Sequence, residues 1–388
     1  MNIDTTQKLP IKMWLDDIEA GALAQAHNLA NLPFAFKHVS LMPDCHQGYG
    51  MPIGGVLATK GAVIPNAVGV DIGCGMIAMK TDITVAKLPK REVKAIMGLI
   101  RKEIPVGFKR HRKSQVGMPP LPDEESCYIV QREWSKAAKS LGTLGGGNHF
   151  IELQCDEVGC LWVMIHSGSR NLGLKVAKYY NDIAQALNQR WFSKVSKKWD
   201  LAFLPLESHQ AQSYIAEMNY CVDYATANRE KMMDVVRDSL MKVVSEPFGV
   251  APPFSIAHNY AQMENHFGKN VMVHRKGATS AREGEIGIIP GSQGTCSYIV
   301  RGLGNIESFH SCSHGAGRKM GRKQACRELS LEEQQAILDE QGIIHGIRGE
   351  KDLDEAPGAY KDIDMVMENQ NDLVEIVTHL RPLAVVKG

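Results

Sequence analysis

Apolar residues recur at helical spacing in a few well-separated stretches. Val93, Ile96, Met97 and Ile100 predict a helix over Lys90 to Ile104. The longest such pattern predicts a helix from Gln210 to Val244, with a seam of Ala211, Ile215, Met218, Val222, Ala225, Met232, Val236, Leu240 and Val243. Pro247, Pro252 and Pro253 end it. Ser330 followed by Glu333 has the spacing of a capping box and predicts a helix running to Gln341. Lys361 to Leu380 predicts a last helix. Shorter apolar runs predict strands at Ile53–Ala58, Met76–Met79, Leu161–Ile165, Val271–Val273 and Ile286–Ile289. Strands and helices do not alternate regularly, which predicts an α+β fold rather than a doubly wound sheet. The irregular stretch Val106 to Ser126, basic and then proline-rich, predicts an exposed loop.

Composition narrows the class. The 388 residues carry 44 Lys+Arg against 43 Asp+Glu, so a nucleic acid would have to be met by a local patch, not by overall charge. Lys109 to Lys113 and Arg318 to Lys323 are such patches. Lys60 and Asp71 interrupt the longest apolar stretches, so no segment of about 20 residues is expected to span a membrane. The first ten residues include Asp4 and lack an apolar core, unlike a secretory signal. Nine cysteines in a chain of this length suit a reducing, cytoplasmic compartment with free thiols.

Glycines cluster beside His, Cys, Asp and Asn, from residue 48 to residue 321, and one continuous domain over 1–388 explains how such scattered clusters meet. Asp71-Ile72-Gly73-Cys74-Gly75 places a carboxylate and a thiol three residues apart on a tight turn, and both are metal ligands when ionised. Gly145-Gly146-Gly147-Asn148-His149-Phe150-Ile151-Glu152 offers free N–H groups suited to phosphate, without the Gly-Lys-Ser/Thr of a Walker loop. An apolar run ends in His166-Ser167-Gly168-Ser169-Arg170, where a guanidinium can meet phosphate. His258-Asn259 follows a proline break, and Pro290-Gly291-Ser292-Gln293 with Ser297 forms a polar loop after a strand. In Ser313-His314-Gly315-Ala316-Gly317-Arg318 the imidazole has only small neighbours and is accessible enough to act as a nucleophile towards phosphorus. Each cluster alone also reads as an ordinary turn or a satisfied core histidine. Together, Asp71, Cys74, His149, His166 and His258 are too many ligands for one structural zinc and fit a catalytic site with one or two ions.

Taken in order, these segments resemble the RNA-splicing ligases of the RtcB family along nearly the whole chain. The resemblance adds Met42-Pro43-Asp44-Cys45-His46-Gln47-Gly48-Tyr49-Gly50 and the Arg381-Pro382-Leu383 to Lys387-Gly388 ending. Gly146, Asn171 and Cys45 depart from the residues usual there, which implies a divergent bacterial subgroup. The family resemblance implies an RtcB-type fold, with mixed sheets and flanking helices around a central metal and nucleotide site. It also implies an enzyme that joins RNA 3′-phosphate or 2′,3′-cyclic phosphate ends to 5′-hydroxyl ends with GTP and Mn2+. By that resemblance Asp71, Cys74, His149, His166 and His258 would hold two manganese ions, Cys74 bridging them, and His314 would take GMP. The guanine nucleotide would lie against Asn148 to Glu152, His258, Asn259, Pro290 to Gln293, Ser297, His314 to Gly317, Tyr360 and Lys387. Arg170 would contact RNA. An archease or a release-factor-like protein is an implied partner, and no membrane is. From the residues alone, a metal-dependent RNA cyclic phosphodiesterase without joining activity stays open.

Overall fold

The long helix forms as His209–Val243 in the computed structural model, which describes residues 1–122 and 127–388. Ser208 caps it, its hydroxyl accepting from the Ala211 N–H at 3.2 Å. The apolar seam is buried except for half-buried Ile215, Val222 and Val243. The first helical pattern forms as Lys90–Glu103 and the capped one as Leu331–Glu340, where Ser330 Oγ accepts from Glu333 N. Of the expected irregular stretch, 123–126 lie outside the described residues.

The expected helix from Lys361 to Leu380 does not form. Helix ends after one short segment, Ile363–Glu368, and Val374–Lys387 is a 14-residue strand. The polar stretch Asn369-Gln370-Asn371-Asp372 stops the helix, and Val374, Ile376, Val377 and Thr378 are β-branched side chains suited to a pleated surface. Pro382 is tolerated because the pairing shifts between Pro382 and Ala384.

Two sheets organise the chain. The six-stranded sheet orders Asn2–Asp4, Ile11–Met13, Ala35–His46, Ile53–Thr59, Lys269–Lys276 and Asn259–His266. Its single parallel pair joins Ile11–Met13 to Ala35–His46. The seven-stranded sheet orders Phe254–Ala257, Gly75–Thr84, Cys160–Ser167, Phe150–Cys155, Val374–Lys387, Ser297–Gly302 and Ile286–Ile289. All its pairs are antiparallel, unlike a doubly wound parallel sheet. One face carries Ile151, Leu153, Val163 and Ile165 against the Lys90–Glu103 and His209–Val243 helices. The alternate residues Phe150, Trp162 and Met164 face the Leu331–Glu340 side. Among the described residues no helix is long and apolar enough to cross a membrane.

Candidate active site

Register in the seven-stranded sheet explains how distant residues meet. Ala257 pairs with Gly75 and Gly75 with Ser167, so His258, Cys74 and His166 lie at the same end of three adjacent strands. Phe150 pairs with both His166 and Lys387, which adds His149 and the C-terminal lysine to that row. Asp44 lies on Ala35–His46 of the other sheet, and His314 directly follows Ser313, which pairs with Ala278 in a separate two-stranded sheet. Between them opens a cleft of about 1480 Å³.

In that cleft the ligand atoms of Asp71, Cys74 and His149, and those of Cys74, His166 and His258, form two groups whose atoms lie within 4.8 Å of one another. Cys74 belongs to both. Its Sγ is 3.2 Å from His166 Nε2 and 3.6 Å from His149 Nε2, and Asp71 Oδ2 is 3.7 Å from His149 Nε2. His149 Nδ1 lies 2.9 Å from the Leu144 carbonyl and His166 Nδ1 3.1 Å from that of Asn148. A carbonyl only accepts, so each Nδ1 carries a proton, and each Nε2 faces the thiol. Burial and the neighbouring imidazoles hold His166 and His258 well below the usual histidine range, in the neutral form a metal needs. Among the described residues the buried His258 Nδ1 has no hydrogen-bond partner. Burial, reinforced by the Asp71 carboxylate, pushes the Cys74 thiol well up. Burial also opposes Asp71 ionisation, but the His149 imidazole overrides it and holds that carboxyl at about 2. This soft and hard donor set fits one or two divalent cations.

The His314 ring is 4.8 Å from that of His258, centroid to centroid, so it abuts the cluster. Its Nδ1 is 2.6 Å from Asp44 Oδ2, and the same oxygen accepts the His314 backbone N–H at 3.0 Å. Asp44 is fully buried. The carboxylate fixes the proton on Nδ1 and leaves the Nε2 lone pair free. Gly317 (φ 71°) permits this approach, since a Cβ there would lie 2.4 Å from the Asp44 carbonyl oxygen.

On the far side of the cleft, the Glu152 carboxyl accepts from Gln154 Nε2 at 2.7 Å, and burial, opposed by Lys387, raises it to about 7. Ser297 Oγ accepts from Gln154 Nε2 at 3.0 Å and from Gly291 N at 3.2 Å, so it braces the 290–293 loop from behind. Glu355 gathers Arg318 Nη1 at 3.1 Å, Arg322 Nε at 3.0 Å, Lys387 Nζ at 3.5 Å and the Tyr360 hydroxyl. Within the basic stretch Arg318 to Lys323, Arg318 and Arg322 thus pair with a buried carboxylate, while Lys319, Arg322 and Lys323 are exposed.

Asn148, His149, Phe150, Glu152, Arg170, His258, Asn259, Pro290 to Gln293, His314 to Gly317, Tyr360 and Lys387 all line the cleft. Ile151 and Ser297 do not; Ile151 faces the helical core, as strand alternation demands. Arg170 and Asn171 have positive φ (52° and 75°), a strained turn before helix Leu172–Arg190. Arg170 donates to Thr143 Oγ1 at 3.0 Å and to the Gly107 carbonyl at 2.9 Å. Gly145 (φ 97°) makes room, because a Cβ there would lie 2.2 Å from the Arg170 guanidinium and 2.5 Å from His149 Nδ1. Sequence reasoning gave no role to Asp44, Glu355, Asn228 or Arg229. Fully buried Arg229 donates to the Gly73 and Ser167 carbonyls, both at 3.0 Å, and so ties the Cys74 turn to the His166 strand. Asn228 Oδ1 accepts from Gly142 N and Thr143 N, at the start of the loop leading to His149.

A family model described as tRNA-splicing ligase RtcB matches residues 25–133 and 121–388. Two Escherichia coli proteins, RNA-splicing ligase RtcB1 and, in strain K12, RNA-splicing ligase RtcB, are each 41% identical to the chain, covering 99% of it and 98% of their own length. The tRNA-splicing ligase RtcB of Thermococcus kodakarensis is 32% identical, over 99% of the chain and 96% of that protein. The chain belongs to the RtcB family.

Proposed function

We propose that this chain is an RNA ligase that joins a 3′-phosphate or 2′,3′-cyclic phosphate end to a 5′-hydroxyl end, with GTP as activating nucleotide. The observation that carries the reading is the His314 imidazole, oriented by Asp44 and abutting a cluster of metal-ligand side chains. Its supports are family membership and the names of the relatives. Asp71, Cys74, His149, His166 and His258 would hold manganese. Bound ions would neutralise phosphoryl oxygens and supply a nucleophilic water to open a cyclic phosphate.

His314 Nε2 attacks the α-phosphorus of GTP. An N–P bond forms, the P–O bond to the β-phosphate breaks, and pyrophosphate leaves. Asp44 keeps the Nδ1 proton in place and stabilises the charge that develops on the ring. An oxygen of the RNA 3′-phosphate then displaces His314 and takes the GMP. The 5′-hydroxyl attacks the original 3′-phosphorus, its proton is released, and GMP departs. Glu152 and Lys387 suit guanine, a carboxylate for the base N–H edge and an ammonium for the carbonyl oxygen. A reducing, cytoplasmic compartment suits a chain with nine cysteines. Incubation with manganese and α-labelled GTP is expected to leave covalent label on the wild type and none on His314→Ala. Label persisting on that variant would refute the assignment.

A further inference from the structure

Phe108 is fully exposed and lines the rim of the cleft, together with Arg110. Lys109, Arg110, Arg112 and Lys113 are exposed around it. The segment is held on both sides. Gly107 N donates to the Gly145 carbonyl at 2.6 Å, and Arg170 Nη2 donates to the Gly107 carbonyl at 2.9 Å. Beyond the ring, His111 N donates to the Lys139 carbonyl at 2.9 Å, and His111 Nε2 lies 3.2 Å from the Gly142 carbonyl. Lys139 is at the end of helix Tyr128–Ser140 and the other anchors fall on the loop or turn beside His149, so the backbone that carries the ring is held relative to the cluster.

A large apolar ring kept in water among cations, at the mouth of a polar cleft, has the makings of a single-stranded nucleic-acid contact. Unpaired bases stack on aromatic faces while Lys and Arg follow the phosphates. Resting on the RNA-ligase reading, we infer that Phe108 is a stacking platform for an unpaired base of the RNA strand entering the cleft. Lys109, Arg112 and Lys113 hold that strand's backbone. A protein partner would meet the ring through an apolar surface, whereas the four flanking cations favour a polyanion.

The test measures affinity for a short single-stranded RNA with a 3′-hydroxyl, which cannot take the GMP, over a range of salt, on enzyme first loaded with labelled GTP. Failure of the wild type to take label sinks the parent reading, not this one. With loaded enzyme, Phe108→Ala is expected to lose roughly 5- to 100-fold in affinity with an unchanged salt slope, because stacking releases no counterions. Charge reversal at Lys109, Arg112 and Lys113 is expected to flatten the slope by about 0.7 per lost phosphate contact. Phe108→Trp should restore affinity, and its fluorescence should be quenched by the RNA. Wild-type affinity in Phe108→Ala overturns the platform, as does a variant defective only in responding to a helper protein.

Discussion

Asp44→Asn separates orientation of the nucleophile from every other property of the cleft. The change is isosteric at a fully buried position, so packing is retained. Asp44 Oδ2 holds His314 twice, through Nδ1 at 2.6 Å and the backbone N–H at 3.0 Å, while Oδ1 has no hydrogen-bond partner among the described residues. An amide oxygen facing Nδ1 replaces a charge-assisted hydrogen bond, worth about 1.5–3 kcal/mol, with a neutral one. At about 1.4 kcal/mol per decade that alone costs on the order of 10- to 100-fold. An amide NH2 facing Nδ1 does more, since it forces the ring proton to Nε2 and blocks attack; tautomer reversal of this kind costs about 10⁴-fold in a serine-protease triad. The expected loss in the rate of GMP transfer to His314 therefore lies between about 10- and 10⁴-fold, according to which way the amide faces. Single-turnover labelling with α-labelled GTP at saturating metal measures it directly. Asp44 is not among the clustered ligands, so metal affinity should stay near the wild-type value. Wild-type labelling rates in Asp44→Asn would refute the orienting role.

Three further outcomes follow from the same geometry. Arg229→Met leaves the Gly73 and Ser167 carbonyls without their donor and should lower stability by about 3 kcal/mol. It should also weaken metal binding by about 10- to 100-fold, as loss of an outer partner does; melting curves with and without manganese read both, and unchanged metal affinity would contradict the role. Burial lifts Glu152 from 4.5 to about 7, so between those values the folded protein keeps a proton that the unfolded chain has released. Stability of the ion-free, nucleotide-free protein should therefore fall by about 3 kcal/mol as pH rises through that window, and Glu152→Gln should flatten this part of the profile. Denaturant titrations with equal slopes for both proteins would argue against a buried, reluctantly ionised carboxyl. Finally, burial and Asp71 keep the Cys74 thiol protonated, so ion binding must displace that proton near neutral pH. Calorimetry in buffers of different ionisation enthalpy should detect the release, and Cys74→Ala should abolish it; zero release by the wild type would exclude thiolate ligation.

The side chains that do chemistry were legible because glycines mark the turns that carry them. Asp71, Cys74, His149, His166, His258 and His314 stand in segments with little else to explain. What joins them was less legible. The apolar seam of the long helix runs from Ala225 to Met232 with a gap, and Asn228 and Arg229 sit in that gap, three and four residues after Ala225. Polar residues on an apolar stripe are either exposed or satisfied by a tertiary partner, and only the fold supplies the Gly73 and Ser167 carbonyls. Asp44 lay inside a recognised motif, but its partner is 270 residues away in sequence. The C-terminal strand read as helix because its apolar positions fit both periods, and its β-branched residues decide in favour of the sheet. Ile151 and Ser297 were expected at the nucleotide; alternation along Phe150–Cys155 turns Ile151 into the core, and Ser297 acts one layer back.

The most direct measurement follows the phosphate. An RNA labelled in its 3′-terminal phosphate is mixed with a 5′-hydroxyl RNA, manganese and either GTP or ATP. The account predicts that, with GTP, the labelled phosphate becomes the phosphodiester at the new junction, that ATP does not substitute, and that His314→Ala makes no joined product. Release of the label as free phosphate, or joining by His314→Ala, would contradict it.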